Sequence, residues 1–137
     1  MAKLVLVNAQ VIVQGPVDLS NWVETVTVNY LAEAIDRTSM GDLTKIFMAG
    51  LKDWSMDITF FQDFAAGGPD ATIFPLIGVV GTIEVRPVNA ARSVTNPAYQ
   101  SAGALYATND PISGNVGQAA KTKLTIKPAA VLNRLTA

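Results

Sequence analysis

The sequence predicts a mainly β protein, a sandwich or barrel with one short helix. Two long stretches alternate apolar and polar residues with a period of two, and they are rich in β-branched side chains. Turn-forming clusters separate these stretches from further short apolar runs. Neither an internal repeat nor a Ser/Gly linker divides the chain, so residues 1–137 read as one domain.

Leu4 to Val13 is rich in Val, Leu and Ile and reads as one or two strands, with a kink at Asn8–Ala9. Gly15–Pro16 breaks the run. From Val23 to about Ile35, Val26, Val28, Tyr30, Ala32 and Ala34 alternate with Thr25, Thr27, Asn29 and Glu33. The first set is expected on a buried face and the second toward solvent or a partner. Tyr30 to Arg37 has some helical propensity, but the β-branched run before it favours a strand.

Thr38 to Gly50 loses the alternation. Asp42–Ala49 is either a helical turn capped by Asp42 or part of a long loop. Trp54 to Phe64 is the clearest strand, with Trp54, Met56, Ile58 and Phe60 on one face and Ser55, Asp57 and Thr59 on the other. Ala65-Ala-Gly-Gly-Pro69 is a turn. Asp70 is expected to cap a short helix through about Ile77, limited by Pro75 and ended by Gly78 and Gly81. Thr82 to Val88, Tyr99 to Thr108 and Lys121 to Lys127 complete about seven strands. Asn109-Asp-Pro-Ile-Ser-Gly114 reads as turn chemistry.

Composition narrows the function. Half of the 137 residues are hydrophobic and 15% are charged, against about 25% charged in an average domain. Such a chain is ordered, and a small domain of this kind leaves apolar surface for a partner. The formal net charge is −1 and the basic residues are scattered, which argues against a phosphate-binding surface. Lys121, Lys123 and Lys127 are the closest cluster, and their spacing reads as one solvated strand face. With no Cys and no His, thiolate chemistry, the commonest general base and the commonest metal ligand are all missing. Leu4 to Val13 lacks the pattern of a signal peptide, and no stretch reaches the roughly 20 apolar residues of a membrane span. The chain is therefore expected to be soluble, made in the cytoplasm and away from membranes.

The residues that invite a catalytic reading each have a plainer one. Asp53, Asp57, Asp63 and Asp70 lack the spacing of a calcium loop; Asp57 lies on a polar strand face and Asp70 reads as a cap. Gly114-Asn-Val-Gly117 with Lys121 fails the phosphate-loop pattern, because Ala120 and Asn115 stand where glycines are required. No nucleophile-elbow motif is present. Trp22 and Trp54 read as core or interface residues. No enzyme activity, cofactor or metal is expected.

An ordered set of short motifs carries a resemblance. Gly50-Leu-Lys-Asp-Trp-Ser55 is followed by a strand and Gln62-Asp-Phe64. Asn29–Tyr30, Glu33, Asp36-Arg-Thr38 and Gly41–Asp42 precede it. After it come Asp70 with Phe74-Pro-Leu76, Val85-Arg-Pro87, Thr95-Asn-Pro97 with Tyr99, and Pro111-Ile-Ser-Gly114 with Gly117. Over about residues 20 to 127 the chain resembles the tail tube proteins of long-tailed bacteriophages, the non-contractile kind above all. Two departures bear on the surface charge of the last strand. Ala130-Val-Leu-Asn-Arg134 has Ala where Gly is expected, and Gln118 with three lysines replaces an acidic stretch.

The resemblance implies a β-sandwich or barrel of the phage tail tube type with one short flanking helix. Six subunits would form a ring, and rings would stack into a hollow tube in the virion tail. The implied partners are other copies of the chain, together with tape measure, tail tip and terminator proteins. Viral DNA would pass through without specific binding. Thr27, Asn29, Glu33, Asp57 and Thr59 are then candidate lumen residues, since polar, neutral-to-acidic side chains let a duplex slide where a basic wall would grip it. The long connection from Asp36 to Asp53 carries Met40, Leu43, Ile46, Phe47 and Met48. These apolar side chains are candidates for the ring-to-ring contact, or else they cover one end of the protein's own core. Rival readings are a head decoration or head–tail connector protein and a carbohydrate-binding sandwich, with an enzyme last.

Overall fold

The computed structural model describes residues 5–14 and 17–136. Leu4 and the expected break at Gly15–Pro16 lie outside the described residues. Eight strands form one antiparallel sheet: β1 (Gln10–Val13), β2 (Val17–Asp18), β3 (Val23–Asp36), β4 (Phe47–Phe61), β5 (Val80–Arg86), β6 (Ala98–Ser113), β7 (Lys121–Pro128) and β8 (Asn133–Leu135). Their order is β2-β1-β5-β6-β7-β4-β3, and β8 pairs with the start of β6.

The sheet wraps around its buried face. Val11 and Val13 of β1, Ile83 of β5, Tyr106 of β6, Ile126 of β7 and Phe60 of β4 belong to one core cluster, although they come from opposite ends of the strand order. Only a curled sheet brings them together. The two end strands, β2 and β3, do not pair, so the result is a barrel left open along one side, or equally a sandwich whose layers share β6. β6 serves both layers because its register shifts after Tyr106 and after Asp110, and such bulges bend a strand.

A short helix, α1 (Pro69–Ile73), plugs the core with Ile73 and continues into a 3-10 turn over Phe74–Leu76. Asp70 is not its cap: Gly68 holds the N-cap position and Asp70 follows Pro69 in the first turn, where its charge still opposes the helix dipole. The helix stops at Ile73 rather than Ile77, because Pro75 cannot donate.

Two other expectations change. The stretch Asn109-Asp-Pro-Ile-Ser-Gly114 is largely strand: β6 runs through Ser113, and Pro111 sits in the bulge, where its missing donor is tolerated. The Pro111 carbonyl accepts from Gln62 Nε2 at 2.5 Å. The turn comes later, where Gly114 and Gly117 adopt positive φ. The connection expected from Asp36 to Asp53 is also shorter, since β4 begins at Phe47.

Besides the pairing of β8 with β6, the C-terminal segment is fixed to the sheet at Ala129 and Ala130. Trp54 Nε1 donates to the Ala130 carbonyl at 2.7 Å, and the Ala129 N–H donates to the Gly103 carbonyl at 2.8 Å. Gly103 permits this close approach, because a Cβ there would lie 2.4 Å from that of Ala130.

Candidate assembly surfaces

The first surface is the outer face of β3, β4, β7 and β6. Registered pairing sets Thr27, Asp57, Thr125 and Thr108 in one row across the four strands. The next row is Thr25, Thr59, Lys123 and Asp110. Thr125 Oγ1 donates to Asp57 Oδ1 at 3.2 Å, and Asn29 Nδ2 to Ser55 Oγ at 3.3 Å. Lys121 pairs with Glu24 at 2.9 Å. Four of the candidate lumen residues, Thr27, Asn29, Asp57 and Thr59, therefore share one polar face. Glu33 lies farther along β3, opposite Gly50, where β4 carries an extra residue. The sequence reading set the three lysines on one strand face but missed that Lys121 and Lys123 lie on this same face, beside Glu24 and Asp110.

The second surface is an arm. β7 pairs only with Met56–Phe61 of β4, so β3 from Leu31 and β4 up to Asp53 continue past it as a two-stranded ribbon. At its far end Asp36 pairs with Phe47. The expected buried face fails here: Tyr30, Ala32 and Ala34 keep the alternation and pair with β4 but are exposed, because among the described residues no second layer lies across the ribbon beyond β7. A two-stranded hairpin is marginal in water on its own.

Residues 37–46 form the tip, and side chains order it. Asp36 Oδ1 accepts the Thr38 N–H at 2.9 Å, and Thr38 Oγ1 accepts the Ile46 N–H at 2.8 Å. The hydrogen bonds from Thr38 hold the Asp36 carboxyl below its usual range. Asp42 Oδ2 accepts the Ser39 N–H at 2.7 Å, so Asp42 closes a turn instead of capping a helix. Met40 and Leu43 stand at 104% relative exposure each, and Phe47 and Met48 of β4 are about half exposed. Ile46 is the most sheltered of the five candidate contact residues. Met40 and Leu43 do not cover the protein's own core.

The third surface is a groove of about 610 Å³ along the open side of the barrel. Val26, Val28 and Tyr30 of β3 form one wall, and Val85, Tyr99 and Leu132 the other, with Arg86 and Arg134 at the rim. Sequence reasoning had no means of finding it, because its walls come from stretches of chain far apart in sequence.

The same fold occurs in known particles. A chain in the virion of a native gene transfer agent superposes with a TM-score of 0.72, covering 93% of this chain and 95% of that one at 14% identity. The SPP1 tail tube gives a TM-score of 0.69 over 95% of this chain and 77% of that one at 11% identity. The chain has the tail tube fold. A chain from the sheath/tube terminator of an extracellular contractile injection system shares that fold, with a TM-score of 0.72 over 98% of this chain and 97% of that one at 12% identity. No family model and no curated protein matches the chain by sequence. Among the described residues, no group of three or more Asp or Glu converges as a metal site would.

Proposed function

We propose that the protein is a structural subunit of a phage-type tail, a single unit over residues 1–137 that assembles as stacked hexameric rings into a hollow tube for genome passage. The observation that carries this reading is the exposed apolar arm on a tail tube fold matched over nearly its whole length. An arm exposing Leu51, Met40 and Leu43 is costly in water at roughly 25 cal/mol per Å² and is relieved by burial against another copy. Arm and body are different surfaces, so the contact is head-to-tail and either closes into a ring or extends as a filament.

In this arrangement the face holding Thr27, Asn29, Asp57 and Thr59 lines the lumen, with Glu33 toward the next ring. Met40, Leu43, Ile46, Phe47 and Met48 make the ring-to-ring contact. The free edge of β3 gains a partner strand within the ring. Tape measure, tail tip and terminator proteins are the expected neighbours, and the virion tail is the expected location. A second reading is a terminating ring, favoured by the similarity to a sheath/tube terminator assembly.

Negative-stain electron microscopy of the concentrated protein separates the two. Hollow tubes of uniform diameter support the tube subunit, and isolated rings support the terminator. A chain that stays monomeric with candidate tail-tip partners present defeats both.

A further inference from the structure

We propose that the apolar groove on the open side of the barrel is the receptor for the arm tip of a second copy, with Asp42 of the tip meeting Arg134 at the groove rim. The proposal rests on the tube reading above and adds which surface the arm enters.

Shape, reach and charge carry it. The tip presents Met40 and Leu43 with no cover of their own. The groove is walled by apolar side chains, and its volume of about 610 Å³ lies within the roughly 300–1,000 Å³ of sites that enclose an apolar guest. The tip cannot fill the groove of its own chain. Tyr30 marks the groove end of the ribbon, and the strand from there to Asp36 spans roughly 20 Å. Hydrogen-bonded pairing as far as Asp36 and Phe47 keeps the ribbon from folding back. A second copy has no such constraint.

The charges match as well. Asp42 sits between Met40 and Leu43, and among the described residues its carboxylate has no ion-pair partner. Arg134 is exposed at the groove and likewise has none among the described residues. Arg86, the other rim cation, is already paired with Glu84 at 2.5 Å. Docking the tip would give Asp42 a guanidinium partner while its turn bond to Ser39 stays in place.

The chain has no cysteine, so an introduced pair reports without background. The double variant Leu43→Cys, Val28→Cys should give a reducible ladder of dimers, trimers and higher species when assembled under oxidising conditions. Either single variant can give nothing beyond a dimer. Independently, Asp42→Arg and Arg134→Asp should each raise the concentration needed for assembly several-fold, and the double swap should restore it. Tubes that form without the ladder and without rescue by the swap leave the groove to another occupant and overturn this proposal, while the tube reading stands. No assembly from the unmodified chain, with candidate tail-tip partners present, overturns both.

Discussion

Replacing Met40 and Leu43 with Ser should separate folding from assembly. Both side chains are at 104% relative exposure, so the free subunit loses no packing and its stability should change by no more than about 0.5 kcal/mol. In an assembled contact each side chain would go from full exposure toward burial. That contributes roughly 1.5–3 kcal/mol per residue. The pair is then worth about 3–6 kcal/mol, or about 10²- to 10⁴-fold in the association constant. Thermal melts of dilute protein check the first half, and the critical concentration for pelleting checks the second. A critical concentration within about twofold of the parent's, at an unchanged melting temperature, would refute the arm as the stacking contact. A melting temperature lowered by more than a few degrees would refute the claim that the tip packs on nothing in its own chain.

Other expected outcomes follow from the core and from the polar face. Gly103→Ala should cost about 1–3 kcal/mol in urea denaturation, because its Cβ would overlap that of Ala130 unless the C-terminal segment shifts. Trp54→Phe should cost about 1–2 kcal/mol by leaving the Ala130 carbonyl without its donor. Burial pushes the Tyr106 hydroxyl up to about 12, against the opposing hydrogen bond from the Gln14 N–H. Its raised pKa means the folded chain keeps a proton that the unfolded chain loses from about pH 10. Stability should therefore fall as the pH rises from about 10 to about 12, and Tyr106→Phe should flatten that fall in melts across the range. Assembled tubes should not retain duplex DNA at about 0.15 M salt, whereas Asp57→Lys with Thr27→Lys should retain it and release it steeply as salt rises. Retention equal to that of the parent would take this face out of the lumen.

The core strand of β4 was legible because every second residue from Trp54 to Phe60 is large and apolar, and all four side chains are at most 3% exposed. The same rule misled at Tyr30, Ala32 and Ala34. Alternation records that a strand is pleated, but burial depends on whether another layer lies across it, and β3 runs beyond the body there. Pro111 misled for a related reason: locally it signals a turn, and only the pairing of β6 with β7 shows it inside a bulge. Some motif residues gained physical roles that no single-residue rule supplies. Gly50 stands opposite Glu33, where a Cβ would come within 3.1 Å of it. Asn96 gathers the 87–97 loop, donating to the carbonyls of Val88, Ala90 and Ala91 while accepting the Val88 N–H. The groove left no local trace, since charge and apolarity at Val28, Val85 and Arg134 become one surface only after the sheet has curled.

The lysines of β7 are the feature of this sequence least like an acidic lumen, and the register shows how the polar face accommodates them. Lys121 is paired with Glu24, an extra residue in β3 that the bulge after Val23 turns toward it. Lys123 stands opposite Asp110 on one side and Thr59 on the other. Asp57 lies one row away, tied to Thr125. Positive charges are thus interleaved with carboxylates at strand spacing, about 5 Å, which is shorter than the screening length of about 8 Å at physiological salt. A phosphate backbone moving past such a face meets alternating charges whose fields largely cancel at its distance, not a continuous basic stripe. Sliding requires weak and uniform attraction, and a locally neutral wall supplies that as well as an acidic one. Removing one carboxylate from this face, by Glu24→Gln or Asp110→Asn, uncovers one lysine. On this reasoning, each such change raises the salt dependence of DNA retention by about one phosphate contact, and a slope that does not move would show that these lysines never face the duplex.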